Sequence, residues 1–237
     1  LGSRRPALPA HMSGARLAQW LVAQGGFVSD AVAISEGPRG RFLRASRDAA
    51  PSELMLRVPL AAAIAPELGR QVLRDAGVAG TSGLADEVLL AAYVAEHLAG
   101  ETSNPHSTWV EALPSLDSLE REIPLFWEQA DGSQGASWPL AVREAVRRDA
   151  EAAAVLRGEI GGLQAAVEAE RARLRPHEGL PRYSKQAFKH AWAVVMSRNF
   201  LVKHTALPGR GECLLLPFGD LLNHGGPGVG GECLRWA

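Results

Sequence analysis

The residues best suited to chemistry fall in three short segments. These are Gly37-Pro38-Arg39-Gly40-Arg41, Ser197-Arg198-Asn199-Phe200, and Leu216-Pro217 followed by Asp220-Leu221-Leu222-Asn223-His224. Arg198 reads as the end of a helix, where a guanidinium can hold a carboxylate through two charge-assisted hydrogen bonds, or simply make a surface ion pair. Asn223 offers both amide donors and an acceptor. Taken alone, Asn223-His224 is a common loop dipeptide. Gly40 permits close approach of the backbone to a ligand, and Arg39 and Arg41 flank it. Asp220 can orient an amine or stabilise a turn.

Other chemistries find little support. No GxxxxGK[ST], HExxH or GxSxG pattern occurs. The stretch from Gly225 to Gly231 lacks lysine and opens no helical pattern, so it reads as a loop rather than a phosphate cradle. Cys213, His224 and Cys233 are spaced too widely for a compact zinc pair. His97, His106, His177, His190 and His204 are scattered and read as surface or half-buried side chains. The 237 residues carry 25 Lys+Arg against 26 Asp+Glu, a net charge of −1. Arg143, Arg147, Arg148, Arg171, Arg173 and Arg175 are interleaved with acids, which describes a solvated helix surface and argues against nucleic-acid binding. Apolar residues at 46% exclude a disordered chain, and 2 cysteines exclude a disulfide scaffold. The longest apolar run, Val58 to Pro66, is too short to cross a membrane.

These segments need elements to position them. Leu17, Trp20 and Leu21 share one face of a helix capped by Ser13 and ended by Gly25-Gly26. Short strands follow at Val32–Ile34, Phe42-Leu43 and Leu54–Pro59, the first two joined by the Gly37–Gly40 turn. Leu90, Val94 and Leu98 mark a helix. One or two helices span about 140–175, with a break expected near Gly158, Gly161 and Gly162. Ser184 caps a further helix with Phe188, Trp192 and Val195 on one face and a Tyr183–Phe188 staple. Cys213–Pro217 reads as a buried strand. Strands at both ends with helices between predict an α+β fold.

In this order the segments resemble the SET-domain methyltransferases of the Rubisco large-subunit lysine methyltransferase type. Gly40-Arg41-Phe42-Leu43-Arg44-Ala45-Ser46-Arg47-Asp48 resembles the opening GxGLxAxxD segment, and Glu53–Pro59 the strand after it. Ser107-Thr108-Trp109, Leu113-Pro114 and Pro124-Leu125-Phe126-Trp127 resemble the W…LP…P…FW stretch of the helical insert. Phe188 to Phe200 resembles the helix ending in SRxF, and Asp220–His224 the Asn-His loop. Phe42 stands where the family usually has a second glycine, Arg39 where close relatives are acidic, and Gly225–Gly231 where a serine commonly follows Asn-His.

The resemblance implies a SET-type fold of short strands at both ends with a helical insert at about 80–204. It also implies a partial SET domain at 15–237, and a C-terminal SET segment and substrate-binding domain that are absent; residues 1–14, rich in small residues with Arg4, Arg5, Pro6 and Pro9, read on their own as a mobile leader or part of a longer precursor. The implied cofactor is S-adenosyl-L-methionine, bound by Arg39, Gly40, Arg41, Arg198, Asn223 and His224. The implied substrate is a protein lysine, met by Arg198, Asp220 and Trp236. The expected protein is a monomer and not secreted, its compartment left open among chloroplast, cytoplasm and nucleus. The family's amine-positioning tyrosine has no counterpart after His224, since the 2 tyrosines are Tyr93 and Tyr183. No catalytic residue is therefore assigned, and this chain alone is expected to be inactive. A non-catalytic scaffold or interaction module is the alternative.

Overall fold

The computed structural model describes residues 14–37, 40–99, 104–127, 138–174, 184–202 and 212–222. The chain divides into two units, Leu1–Ala63 with Leu216–Ala237, and Ile64–Leu215. The leader expected at 1–14 lies outside the described residues except for Gly14, and so do its Ser13 cap and the Tyr183 half of the staple.

The first unit opens with α1 (Gly14–Ala23), which buries Leu17 and Leu21. Its end is set by Gly25, with φ +84°. The Gly25 N–H donates to Val22 O at 2.9 Å and the Gly26 N–H to Leu21 O at 2.9 Å, the paired bonds of a Schellman stop. Four strands follow: β1 (Phe27–Val28), β2 (Val32–Gly37), β3 (Gly40–Ala45) and β4 (Leu56–Arg57). β1 pairs antiparallel with β4. β2 and β3 form a hairpin from Val32 opposite Ala45 to Gly37 opposite Gly40. The strand expected over Leu54–Pro59 is thus cut to two residues, because its partner β1 offers only two. Phe42 sits opposite Ser35 inside the hairpin ladder, without positive φ. A glycine is not needed there.

The second unit is built around α3 (Asp86–Leu98), whose residues Val88 to Ala95 are all buried. A helix apolar all round must be covered on all sides. α2 (Pro66–Asp75) and, later in the chain, Lys185–Arg198 pack on it. α2 comes so close that a Cβ on Gly69 would lie 1.8 Å from Leu89 O. α4 (Ser107–Val110) and α5 (Leu116–Glu122) follow, the latter capped by Ser115. The residues resembling the W…LP…FW stretch turn out to be packing residues: Trp109, Leu113, Leu125 and Trp127 are buried.

α6 (Leu140–Arg147) and α7 (Ala150–Ala172) are separate helices. The break falls at Asp149, whose carboxylate caps α7 by accepting the Ala152 N–H at 2.9 Å. The break expected at Gly158–Gly162 does not occur. Each interior glycine costs about 1 kcal/mol, but Ala153, Ile160 and Val167 recur at seven-residue spacing and bury one continuous face through them. Trp127, Trp138 and Ile160 form a cluster completed by Val142, Val146 and Leu156. α8 (Lys185–Arg198) starts at Ser184 as expected, with Oγ accepting the Ala187 N–H at 3.3 Å. It runs directly into β5 (Asn199–Val202), a strand the sequence did not announce, which pairs antiparallel with β6 (Glu212–Leu215). The expected α+β order is the observed one: strands at both ends, helices between.

Candidate functional site

In the first unit β3, the strand that Gly40 opens, and the turn that precedes Asn223 in the chain come together. The 3-10 turn Gly219–Leu221 packs against β3. A Cβ on Gly219 would lie 3.2 Å from Leu216 Cβ and 3.8 Å from Val58 Cγ2, so the turn is tightly seated. Asp220 is half-buried, and its N–H donates to Leu216 O at 2.9 Å. The turn begins at Phe218, with φ +74° and ψ −41°. A non-glycine residue with positive φ costs on the order of 1–3 kcal/mol. Burial of its ring, 1% exposed, holds it there.

Gly40 is the first residue of β3, and Arg41 follows it opposite Glu36. Arg39, Asn223, His224 and Trp236 lie outside the described residues. Arg198 belongs to the second unit. It is the last helical residue of α8 and half-buried. A helix C-terminus carries partial negative charge and suits a cation. The preceding Ser197 turns its hydroxyl back to Ala193 O at 2.7 Å and Val194 O at 3.1 Å.

A network at the base of the hairpin escaped the sequence reading. Arg47 Nη2 lies 2.6 Å from Asp30 Oδ1 and 2.7 Å from Glu53 Oε1. Arg47 Nη1 donates to Glu53 Oε2 at 3.2 Å and to Asp48 O at 2.9 Å. The Arg47 guanidinium, with help from the Ala50 N–H, holds the Glu53 carboxyl down at about 2. No periodicity marks such a trio; the resemblance to GxGLxAxxD only brackets Arg47.

The second unit holds its own buried polar cluster. The Tyr93 hydroxyl lies 2.9 Å from Asn104 Oδ1 and 2.6 Å from His106 Nδ1. His106 is 5% exposed, so it is a core residue and not the surface or half-buried histidine expected. His190 Nε2 sits 3.1 Å from Pro114 O, tying the Leu113-Pro114 stretch to α8. Cys213 is buried, and desolvation pushes its thiol up to about 11, with Glu87 and Asp86 adding to the shift. Among the described residues no group of three or more His, Cys, Asp or Glu is arranged to hold a metal ion. Among them, too, no helix is long and apolar enough to cross a membrane.

No protein-family model matches the chain, and no curated protein matches it. Solved structures do. The SET domain of LSMT bound to lysine and AdoHcy superposes with a TM-score of 0.64 at 19% identity, over 93% of this chain and 46% of that one. The SET domain of LSMT bound to MeLysine and AdoHcy gives 0.61 at 18% identity, over 89% and 44%. The fold of this chain is that of a SET domain. The chain spans less than half the length of the LSMT chains it matches.

Proposed function

We propose that this chain is the SET-domain part of an S-adenosyl-L-methionine-dependent protein methyltransferase acting on a lysine amine. The observation that carries the reading is the seating of the Gly219–Leu221 turn on β3 within a SET fold. That contact puts the strand opened by Gly40 beside the turn that runs on to Asn223-His224. The neighbours with this fold hold AdoHcy, the demethylated form of the cofactor, together with lysine or methyl-lysine.

The residues fit such a ligand by chemical type. Its amino-acid end carries both charges. By type, the Arg198 guanidinium suits the carboxylate, and the Asn223 amide suits the amino-acid end. Backbone groups at Gly40 and His224 need no titration to bind. When bound, the cofactor supplies a methyl group on a sulfonium, open to in-line displacement by a neutral amine. A lysine ammonium must first lose its proton, since its ordinary pKa lies near 10.4. Asp220 orients that amine, and Trp236 is assigned an aromatic contact with the lysine ammonium before the proton leaves. Tyr93 does not take the amine-positioning role of the family's tyrosine, because its hydroxyl is engaged with Asn104 and His106 in the second unit's core.

Calorimetry of the whole chain with S-adenosylmethionine and AdoHcy tests the reading. Saturable binding is expected, abolished in Asn223→Ala and weakened roughly tenfold or more in Arg198→Lys, which keeps the charge but loses the fork. Absence of binding by the unaltered chain would leave the non-catalytic scaffold reading.

A further inference from the structure

The β2–β3 hairpin is a two-stranded ribbon, and such a ribbon is marginal unless something holds it. At one end it closes at Gly37 and Gly40. At the other, three chain segments meet on a single arginine. Asp30 lies in the turn before β2, Arg47 lies just beyond β3, and Glu53 lies in the loop that leads to β4. Their ion pairs of 2.6 and 2.7 Å share one guanidinium nitrogen, and the second nitrogen completes the fork on Glu53. Short bonds surround the trio. Ser46 Oγ donates to Asp30 O at 2.7 Å, the Ser46 N–H to Ala31 O at 2.8 Å, and the Ala50 N–H to Glu53 Oε2 at 2.9 Å. Exposed ion pairs add little stability one at a time. A fork shared between two carboxylates does something else: it fixes direction.

We propose that Arg47 is a positioning residue for the cofactor site: by binding Asp30 and Glu53 across the hairpin base, it sets how β3 meets the Gly219–Leu221 turn. This rests on the cofactor reading above. Arg47 acts through the hairpin and not by touching the ligand. Because two carboxylates share the guanidinium, lysine is a poor replacement, able to serve one partner well but not both.

The test uses the whole chain with Arg47→Gln, Arg47→Lys and Glu53→Gln, probed with S-adenosylmethionine and AdoHcy. Calorimetry should show both glutamine variants binding roughly tenfold more weakly, with Arg47→Lys between them and the unaltered chain. Hydrogen exchange should quicken at residues 40–45 while α1 and α3 keep their protection, a pattern that general loosening would not give. Glu53→Gln serves if Arg47→Gln does not fold. Unchanged affinity in the folded variants, or quickening spread evenly over α1 and the hairpin, overturns the positioning role alone. If the unaltered chain binds neither probe, the cofactor reading fails and takes this proposal with it.

Discussion

The Tyr93 hydroxyl and His106 Nδ1 are 2.6 Å apart inside the second unit, and the direction of that hydrogen bond can be deduced. Asn104 Oδ1 accepts the His106 N–H at 2.7 Å, which fixes the amide's orientation. The Tyr93 hydroxyl therefore donates its single hydrogen to the same oxygen, at 2.9 Å. Only His106 Nδ1 remains to donate to Tyr93 Oη, so Nδ1 carries the proton. Burial raises the Tyr93 pKa well above its ordinary value and keeps the phenol neutral.

Removing the phenol oxygen should be costly. Tyr93→Phe leaves a buried Nδ1–H without its acceptor, at about 1–3 kcal/mol. Urea unfolding should show a lower midpoint with an unchanged slope.

The neighbouring His97, its ring 4.3 Å from that of Tyr93, should make stability pH-dependent. Burial first, and the nearby His106 charge second, pull its pKa down from 6.5 to about 4. The unfolded chain takes up this proton near pH 6.5, whereas the folded chain resists until near pH 4. The contribution is therefore complete above about pH 6.5 and is lost as pH falls towards 4, no more steeply than about 1.4 kcal/mol per pH unit. Unfolding midpoints measured across that range should fall less steeply in His97→Gln.

Glycines in the second unit should divide by environment. A methyl group on Gly69 meets Leu89 O and C at 1.8 and 2.4 Å, both backbone atoms that cannot rotate away. Gly69→Ala must force α2 and α3 apart and should cost at least about 1–3 kcal/mol. Gly158 and Gly162 have nothing within 4 Å of an added Cβ. Their alanine variants should stabilise α7, each by about 0.5–1 kcal/mol, and thermal melts would rank all three.

Phe218 should invert the usual order of alanine and glycine. Both truncations lose the buried ring, at about 3–5 kcal/mol. Alanine keeps the penalty of φ +74° and glycine escapes it. Phe218→Gly should be at least as stable as Phe218→Ala in chemical denaturation, whereas at an ordinary helical or strand position it would be weaker by about 0.5–1 kcal/mol.

Much of the scaffold was legible because its signals are local. Ser184 capping α8, Gly25-Gly26 stopping α1, and Gly37 and Gly40 turning one strand into the next all act within a few residues of where they stand. The same holds for the Leu90–Leu98 face of α3. The candidate site is proposed from the order of its motifs alone. Gly40, Asp220 and Asn223 are ordinary loop residues taken singly, and no period links them.

What tertiary structure decided are matters of distance along the chain. It carried α7 unbroken through three glycines, because Ala153, Ile160 and Val167 bury a face whose partners lie outside the helix. It put His106 in the core beside Tyr93, drew Asp30, Arg47 and Glu53 onto one guanidinium, and held Phe218 in a conformation its side chain disfavours. Local propensity is worth tenths of a kcal/mol to about one per residue, and burial of a large side chain is worth about 1.5–3. Where the two disagree, the long-range term prevails, and it can be read only once the chain has folded.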